Sequence, residues 1–176
     1  MKLSDKAIAF LIDYEKKEPR AYRDSADKWT IGIGHLITPD ELRTGTIWIM
    51  GVACKWRTAT MSDCFMEALF QQDIAPRVDT LNGLLERAPK QHEFDAMFCL
   101  MYNIGVGSPS PSKPGGFWRS SVRRLFNEGR TEAAGNAFLL WNKETRDGKR
   151  VVSNGLVKRR KQERDMFLNG TYNSQH

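Results

Sequence analysis

The stretch that decides the fold runs from residue 15 to residue 35 and reads EKKEPRAYRDSADKWTIGIGH. Two short runs rich in strand-forming residues flank a polar segment at 25–28, a pattern that predicts a β-hairpin. Pro19 ends any helical tendency ahead of the first strand. Asp24 then closes the first strand and Thr30 opens the second, so the hairpin brings a carboxylate and a hydroxyl together across its turn.

A first helix is expected immediately before this stretch. Ser4 is a suitable N-cap, and Ala7 and Leu11 belong to an apolar face that predicts about twelve helical residues. Glu15 comes at the end of this helix. A hairpin that folds back over the helix end would place Glu15 opposite Asp24 and Thr30.

The chain after the hairpin is mainly helical by its apolar spacing. Residues 39–61 are ambiguous, although 46–56 is rich in β-formers. A long amphipathic helix is expected over 62–85, with a kink or break possible at Pro76. A second apolar helix follows Pro89 and ends at Gly105. The remainder is predicted to contain a loop over 105–116, helices over 117–128, 131–141 and 156–168, and a turn at Asp147-Gly148.

These elements predict an α+β, mainly helical fold in a single domain over residues 1–170. It comprises a β-hairpin lobe (about 15–60), an interlobe helix (62–85) and a helical lobe (86–170) on which helix 4–15 packs, with a cleft between the lobes and a frayed tail over 171–176.

The net charge of +6 favours polyanionic partners without choosing among nucleic acid, anionic lipid and an acidic cell wall. The densest basic cluster, Lys158–Lys161 with Arg164, is interpreted as a solvated helix face, with contact to an anionic cell envelope as the alternative. No helix-turn-helix, zinc or aromatic-stacking motif accompanies it, so we expect no nucleic-acid partner.

The three cysteines show no zinc-ligand spacing. Cys99 lies in an apolar run and reads as a buried, inert thiol, whereas a Cys54–Cys64 bridge is conceivable. The first ten residues carry Lys2, Asp5 and Lys6 and lack a signal peptide's apolar segment, which suggests synthesis in a reducing cytosol.

The chemistry suggested by Glu15, Asp24 and Thr30 is hydrolysis of a glycosidic bond. That reaction needs a protonated carboxyl to assist the leaving oxygen, and a second group on the other face of the sugar to activate water or attack directly. The spacing alone is weak evidence, because a Glu and an Asp nine residues apart are commonly two solvated surface carboxylates.

The stretch resembles the signature of the phage-type lysozymes of glycoside hydrolase family 24, E-x(8)-D-x(5)-T-I-G-[YI]-G-H. All eight specified positions, from Glu15 to His35, are in register. The resemblance continues through residues 70–73, 94–105 and 117–120, the segment ending at Trp141, and residues 155–163. It covers roughly residues 4 to 170.

The resemblance implies roles for individual residues. Glu15 would be the general acid, and Asp24 would stabilise positive charge at the anomeric carbon and hold the attacking water with Thr30. Family members of this kind typically invert the anomeric configuration. His35 is expected to brace the hairpin by pairing with a carboxylate or a backbone group, and Arg159 would reach Glu15. The positions matching the saccharide groove are Leu36, Tyr102, Ser120 and Asn136.

The function implied is that of a peptidoglycan-degrading endolysin that hydrolyses the β-1,4 bond between N-acetylmuramic acid and N-acetylglucosamine, without metal or cofactor. We expect a monomer held in the host cytoplasm until a membrane pore, a holin, gives it access to the wall. The alternatives are a lytic transglycosylase acting on the same bond and a non-catalytic protein that binds the cell wall.

Overall fold

The computed structural model describes residues 1–15, 17–24, 27–110, 115–146 and 148–174. Its elements are α1 (Asp5–Tyr14), β1 (Lys17–Arg23), β2 (Trp29–Ile33), β3 (His35–Leu36), α2 (Pro39–Thr44), β4 (Ile47–Ile49), β5 (Val52–Cys54), α3 (Asp63–Leu84), α4 (Gln91–Ile104), α5 (Ser121–Asn127), α6 (Thr131–Ala137), β6 (Lys143–Arg146), β7 (Lys149–Val152) and α7 (Asn154–Asn169). The mixed, mainly helical class expected from the sequence is confirmed.

The chain divides into two compact units. One consists of Met1–Leu11 and Arg77–His176, and the other of Ile12–Pro76. The boundary between them falls inside α1 and inside α3. α3 continues through Pro76, so the proline does not break the helix.

The Ile12–Pro76 unit contains one strand more than the expected hairpin. Its first sheet has the antiparallel order β1-β2-β3. Pro19 lies inside β1 and does not precede it. An edge strand tolerates proline because one side of its backbone needs no ladder hydrogen bond. The ambiguous segment after the sheet forms α2 and the antiparallel pair β4–β5.

α2 begins with a complete capping box. The Thr38 hydroxyl accepts from the Glu41 amide at 3.3 Å, and the Glu41 carboxylate accepts from the Thr38 amide at 2.8 Å. Such reciprocal bonds satisfy two backbone donors that a helix start leaves open. They also fix the Glu41 carboxylate beside β3, where it becomes part of the site described below.

The other unit is built around α4, which packs against α7. Seven consecutive residues, Phe94 to Leu100, are fully buried. A helix with apolar residues on every side is expected at the centre of a helical bundle. Cys99 lies in this run, as expected for an inert thiol, and burial raises the pKa of its thiol well above the ordinary value.

Two of the three helices expected after residue 116 are shorter than the sequence indicated, whereas α7 extends beyond the expected 156–168 at both ends. A 3-10 turn over Phe117–Arg119 precedes α5, and another over Phe138–Leu140 follows α6. The break comes at Ser120, whose hydroxyl caps α5 by accepting from the Arg123 amide at 3.1 Å. A serine side chain bonded to the backbone competes with helix continuation, which explains the division.

The β6–β7 hairpin was not anticipated. β6 pairs with β7 where the sequence indicated only a connecting turn. Asp147 lies outside the described residues, while Gly148 has the left-handed φ of 73°. An Asp-Gly pair between residues such as Thr145 and Val151 is a strong hairpin signal, so the signal was present and only its extent was missed. The expected loop over 105–116 has neither helix nor strand at 105–110, and its residues 111–114 are among those not described.

Two further expectations are wrong. Cys54 and Cys64 are both free thiols, so they form no bridge. The tail is not frayed at Tyr172, whose hydroxyl donates to Asp95 Oδ2 at 2.6 Å. Asp95 is fully buried and also accepts from the Ser4 hydroxyl at 2.6 Å. The carboxylate therefore joins both ends of the chain to α4.

We predict that Tyr172→Phe lowers the free energy of unfolding by about 1.5–3 kcal/mol, because a buried carboxylate loses a hydrogen bond. Urea titration would measure the loss. The neighbouring exposed Thr171→Ala is the control and should leave stability unchanged. Equal stabilities of Tyr172→Phe and the wild type would show that the tail contact contributes nothing.

Candidate functional site

Glu15 follows the last residue of α1 and is half-buried. It belongs to the Ile12–Pro76 unit together with Asp24 and Thr30. All three side chains of the sequence-predicted catalytic group are therefore held by one compact body.

Asp24 is fixed in the turn between β1 and β2. Its Oδ1 accepts from the Lys28 amide at 2.9 Å, and its own amide donates to the Lys28 carbonyl at 2.9 Å. The turn also requires a left-handed residue, which is Asp27 with φ of 58°. Aspartate tolerates this conformation better than most residues. The orientation of the Asp24 carboxylate is thus set by backbone groups.

Thr30 lies in β2 and is only 4% exposed. Its hydroxyl donates to the Lys28 carbonyl at 3.3 Å. A hydroxyl that uses its proton in this way still has lone pairs for accepting. The backbone of Lys28 therefore positions both Asp24 and Thr30.

Thr30 is the middle member of a row across the sheet. Tyr22 of β1 is its partner on one side, and Leu36 of β3 is its partner on the other. Residues directly opposite each other in antiparallel strands project from the same face. Leu36, which the sequence assigned to sugar binding, is 46% exposed on that face.

The charges of Glu15 and Asp24 both act on Tyr22. Burial raises the pKa of the Tyr22 phenol, and the negative charges of Glu18, Asp24 and Glu15 raise it further. The charges of both carboxylates of the candidate pair therefore reach one tyrosine. Tyr22 was not among the site residues predicted from the sequence. Its position in β1, two residues before Asp24, could have indicated that it lies close to the predicted catalytic group.

His35 links three elements of the same unit. Its Nδ1 lies 2.8 Å from Asp73 Oδ2 on α3, and its Nε2 lies 3.1 Å from Glu41 Oε2 on α2. The side chain is 9% exposed. Both ring nitrogens face carboxylate oxygens, so the protonated ring, in which both nitrogens carry hydrogens, can donate to both carboxylates. This pairing is what a bracing role for His35 requires.

The pKa of His35 reflects two opposing effects. Burial lowers it, but the hydrogen bond and charge of Asp73, together with the charge and hydrogen bond of Glu41, outweigh burial and raise the pKa above its ordinary value. A raised pKa in the folded protein means that protonated His35 stabilises the fold. This stabilisation is complete below the unfolded-state value of about 6.5 and is lost as the pH rises through the folded-state value.

We predict that His35→Asn costs about 3–5 kcal/mol at pH 5.5, because it leaves two partly buried carboxylates without their cation. The difference from the wild type should shrink above the ordinary histidine pKa. Urea unfolding between pH 5.5 and 9 measures this trend, and Arg124→Ala, which removes an exposed ion pair with Glu128, should show no such trend. A difference independent of pH would contradict the charged pairing.

The remaining predicted residues lie in the other unit. Tyr102 lies beneath the Arg77 guanidinium at 4.9 Å, and Asn136 is exposed and accepts from Arg164 Nε at 2.9 Å. Ser120 is 1% exposed and its hydroxyl caps α5. Of these three side chains, only that of Ser120 is buried. Its capping of α5 is a structural role that needs no bound sugar.

The basic cluster is not the solvated face that was expected. Arg159 and Arg160 are buried against Glu163, with Arg159 Nε 3.0 Å from Oε1 and Arg160 Nη1 2.6 Å from Oε2. Arg160 also donates to Asn103. Burial raises the pKa of the Glu163 carboxyl, against the lowering effect of the two arginines. Only Lys158 and Lys161 in this run are exposed.

We predict that Glu163→Gln destabilises the protein by about 3–5 kcal/mol, since two buried guanidinium groups lose their counter-charge. The control is Lys161→Gln on the same helix, which removes one charge of opposite sign from an exposed side chain. Thermal unfolding at neutral pH compares the two. Similar melting temperatures would contradict the assigned role of Glu163.

Within the ranges that the structure describes, no group of three or more His, Cys, Asp or Glu side chains could hold a metal ion. No helix in that part of the chain is long and apolar enough to cross a membrane.

Comparison with known proteins decides the family. The family model for phage lysozyme matches residues 12–163. The chain belongs to the phage lysozyme family. It is a glycoside hydrolase of the peptidoglycan-degrading endolysin type, as the resemblance implied.

Relatives cover nearly the whole chain. An endolysin of Salmonella phage P22 is 31% identical over 96% of this chain and 99% of its own length. An endolysin of Acyrthosiphon pisum secondary endosymbiont phage 1 is 29% identical over 95% and 98%. Among solved structures, an endolysin from Escherichia coli O157:H7 phage FAHEc1 superposes with a TM-score of 0.78 at 31% identity, covering 98% of this chain and 97% of that one.

Proposed function

We propose that Glu15, Asp24 and Thr30 are the catalytic group, and that it hydrolyses the β-1,4 bond between N-acetylmuramic acid and N-acetylglucosamine. The observation that carries this proposal is the double role of Lys28. Its amide holds the Asp24 carboxylate at 2.9 Å, and its carbonyl accepts the Thr30 hydroxyl proton at 3.3 Å. The two backbone groups of Lys28 therefore each hold one of the two oxygen acceptors.

Two adjacent acceptors are suited to orienting a water molecule. A water that donates one hydrogen to Asp24 and the other to Thr30 directs a lone pair away from both. Glu15, in its protonated form, donates its proton to the leaving oxygen while that lone pair attacks the anomeric carbon. Asp24 accepts the proton that the attacking water loses, and its charge stabilises the positive charge that develops on the sugar.

Water held in this way attacks the face opposite to the leaving group, so the reaction inverts the anomeric configuration. The first product should therefore be the α-anomer, which NMR spectroscopy of fresh digests detects. A lytic transglycosylase needs no positioned water and would instead leave 1,6-anhydromuramoyl ends. Mass spectrometry that finds such ends would overturn the hydrolase mechanism.

We propose for this enzyme the partners and location that the family resemblance implies. Peptidoglycan is the substrate, and the family resemblance assigns sugar contacts to Leu36, Tyr102, Asn136 and Ser120, of which the buried Ser120 is the weakest candidate. The resemblance likewise assigns to Arg159 the role of orienting Glu15, although the structure pairs Arg159 with Glu163. The enzyme acts as a monomer without metal, cofactor or nucleic acid, its positive charge favours the anionic envelope, and it waits in the host cytoplasm until a holin pore opens.

We predict that Glu15→Gln reduces lysis of chloroform-treated Gram-negative cells by at least about 100-fold, because the amide cannot supply a proton. Turbidity decay measures the rate. Glu132→Gln makes the same chemical change at an exposed glutamate of α6 and should lyse cells as fast as the wild type. Equal rates for both variants would overturn the assignment of the acid.

The hydroxyl of Thr30 can be tested by a matched pair at the same position. Thr30→Ser keeps the hydroxyl, whereas Thr30→Val keeps the shape and removes the acceptor. Activity retained by the serine variant and lost by the valine variant supports the water-holding role. Loss in both, or in neither, contradicts it.

A further inference from the structure

Tyr22 is placed in the row that carries the proposed chemistry. It is the direct partner of Thr30 in the β1–β2 ladder, and Leu36 completes the row on β3. Paired residues in an antiparallel sheet have Cβ atoms about 4.5–5.5 Å apart on one face. The Tyr22 side chain thus emerges beside the hydroxyl proposed to hold the attacking water, on the same face as an exposed apolar side chain.

The next pair along the ladder supports this register. Arg23 and Trp29 are directly opposite each other, and the Arg23 guanidinium lies 4.5 Å from the Trp29 ring. Because side chains alternate along a strand, that pair occupies the face opposite to Tyr22 and Thr30. The two faces of the hairpin are therefore distinct, one bearing the Arg23–Trp29 contact and the other bearing Tyr22.

The Tyr22 hydroxyl has no hydrogen-bond partner within the described part of the chain. The side chain is nevertheless half-buried, where an unmade hydrogen bond is costly. Burial raises its pKa above the ordinary value, and the negative charges of Glu18, Asp24 and Glu15 raise it further. The phenol therefore remains a protonated donor at the pH of the reaction.

We infer that Tyr22 is a substrate-binding residue whose hydroxyl donates a hydrogen bond to an acceptor oxygen of the sugar bound over Thr30 and Leu36. Asp24 and Thr30 present oxygen atoms that accept hydrogen bonds. The hydroxyl and N-acetyl carbonyl oxygens of a bound sugar also accept hydrogen bonds, so the site needs a donor for them. Tyr22 supplies a donor at this place. The inference rests on the proposed function and adds a residue that orients the saccharide.

The test removes the hydroxyl and keeps the ring. Tyr22→Phe should lower kcat/KM on purified peptidoglycan by about tenfold, the effect of one lost hydrogen bond in a shielded site. Its melting temperature should equal that of the wild type, because the hydroxyl has no protein partner to lose. Unchanged kcat/KM would overturn the inference, as would a loss of activity that merely follows a loss of stability.

Tyr172→Phe is the matched control, since it removes a hydroxyl that is bonded to Asp95 and distant in sequence from the site. It should lose stability and keep its kcat/KM at a temperature where it is folded. The two phenylalanine variants should therefore show opposite behaviour. Both losing activity to the same extent would contradict a specific role for Tyr22.

Binding separates this inference from the assignment of the acid. In a Glu15→Gln background, calorimetry with a soluble peptidoglycan tetrasaccharide should give a Kd that rises about tenfold when Tyr22→Phe is added. An unchanged Kd would overturn the inference. If Glu15→Gln proves fully active, the acid assignment fails, while the Tyr22→Phe comparison in the wild-type background still decides the sugar contact.

The pH profile distinguishes a donor from an electrostatic effect. Because the phenol stays protonated, the ratio of wild-type to Tyr22→Phe activity should be constant between about pH 5 and 9. A ratio that changes across this range would show that Tyr22 acts by altering the ionisation of the neighbouring carboxylates, which would contradict the inferred contact with the sugar.

Discussion

The charged contact of His35 with Asp73 and Glu41 is the constraint on which the Ile12–Pro76 unit depends. The sheet is small, and a three-stranded sheet this short has little apolar surface with which to hold itself. His35 joins its last strand to α3 through one nitrogen and to α2 through the other. Because the ring is nearly enclosed, the two contacts are shielded from water and strengthened accordingly.

The contacts that hold β3 also position the candidate site, because the three strands are paired through their backbones. β3 pairs with β2, and β2 pairs with β1, so the row of Tyr22, Thr30 and Leu36 is fixed as a set. The turn at Lys28 adds the Asp24 carboxylate by two backbone contacts. A catalytic group gains most when its members are held in place before substrate binds, since no binding energy is then spent on ordering them.

The second unit stabilises itself by a different use of charge. Glu163 is fully buried between Arg159 and Arg160, in a region whose other side chains are largely aromatic and aliphatic. A buried ion pair is expensive to form and expensive to break, so it contributes more to a unique arrangement of α7 than to net stability. Asp95 is a second buried carboxylate in this unit, and it accepts hydrogen bonds from the hydroxyls of Ser4 and Tyr172 near the two ends of the chain.

The sequence by itself determined the class of fold, the family and the three residues of the proposed catalytic group, because local spacing and the signature of residues 15–35 carry that information. Tertiary structure decided the rest. The sequence predicted that Arg159 and Arg160 are solvated, but the packing of α7 buries both, and Arg160 donates to the distant Asn103. The sequence likewise assigned no role to Tyr22, which strand pairing places opposite Thr30. Burial and strand register depend on contacts far apart in the chain, and no local pattern encodes them.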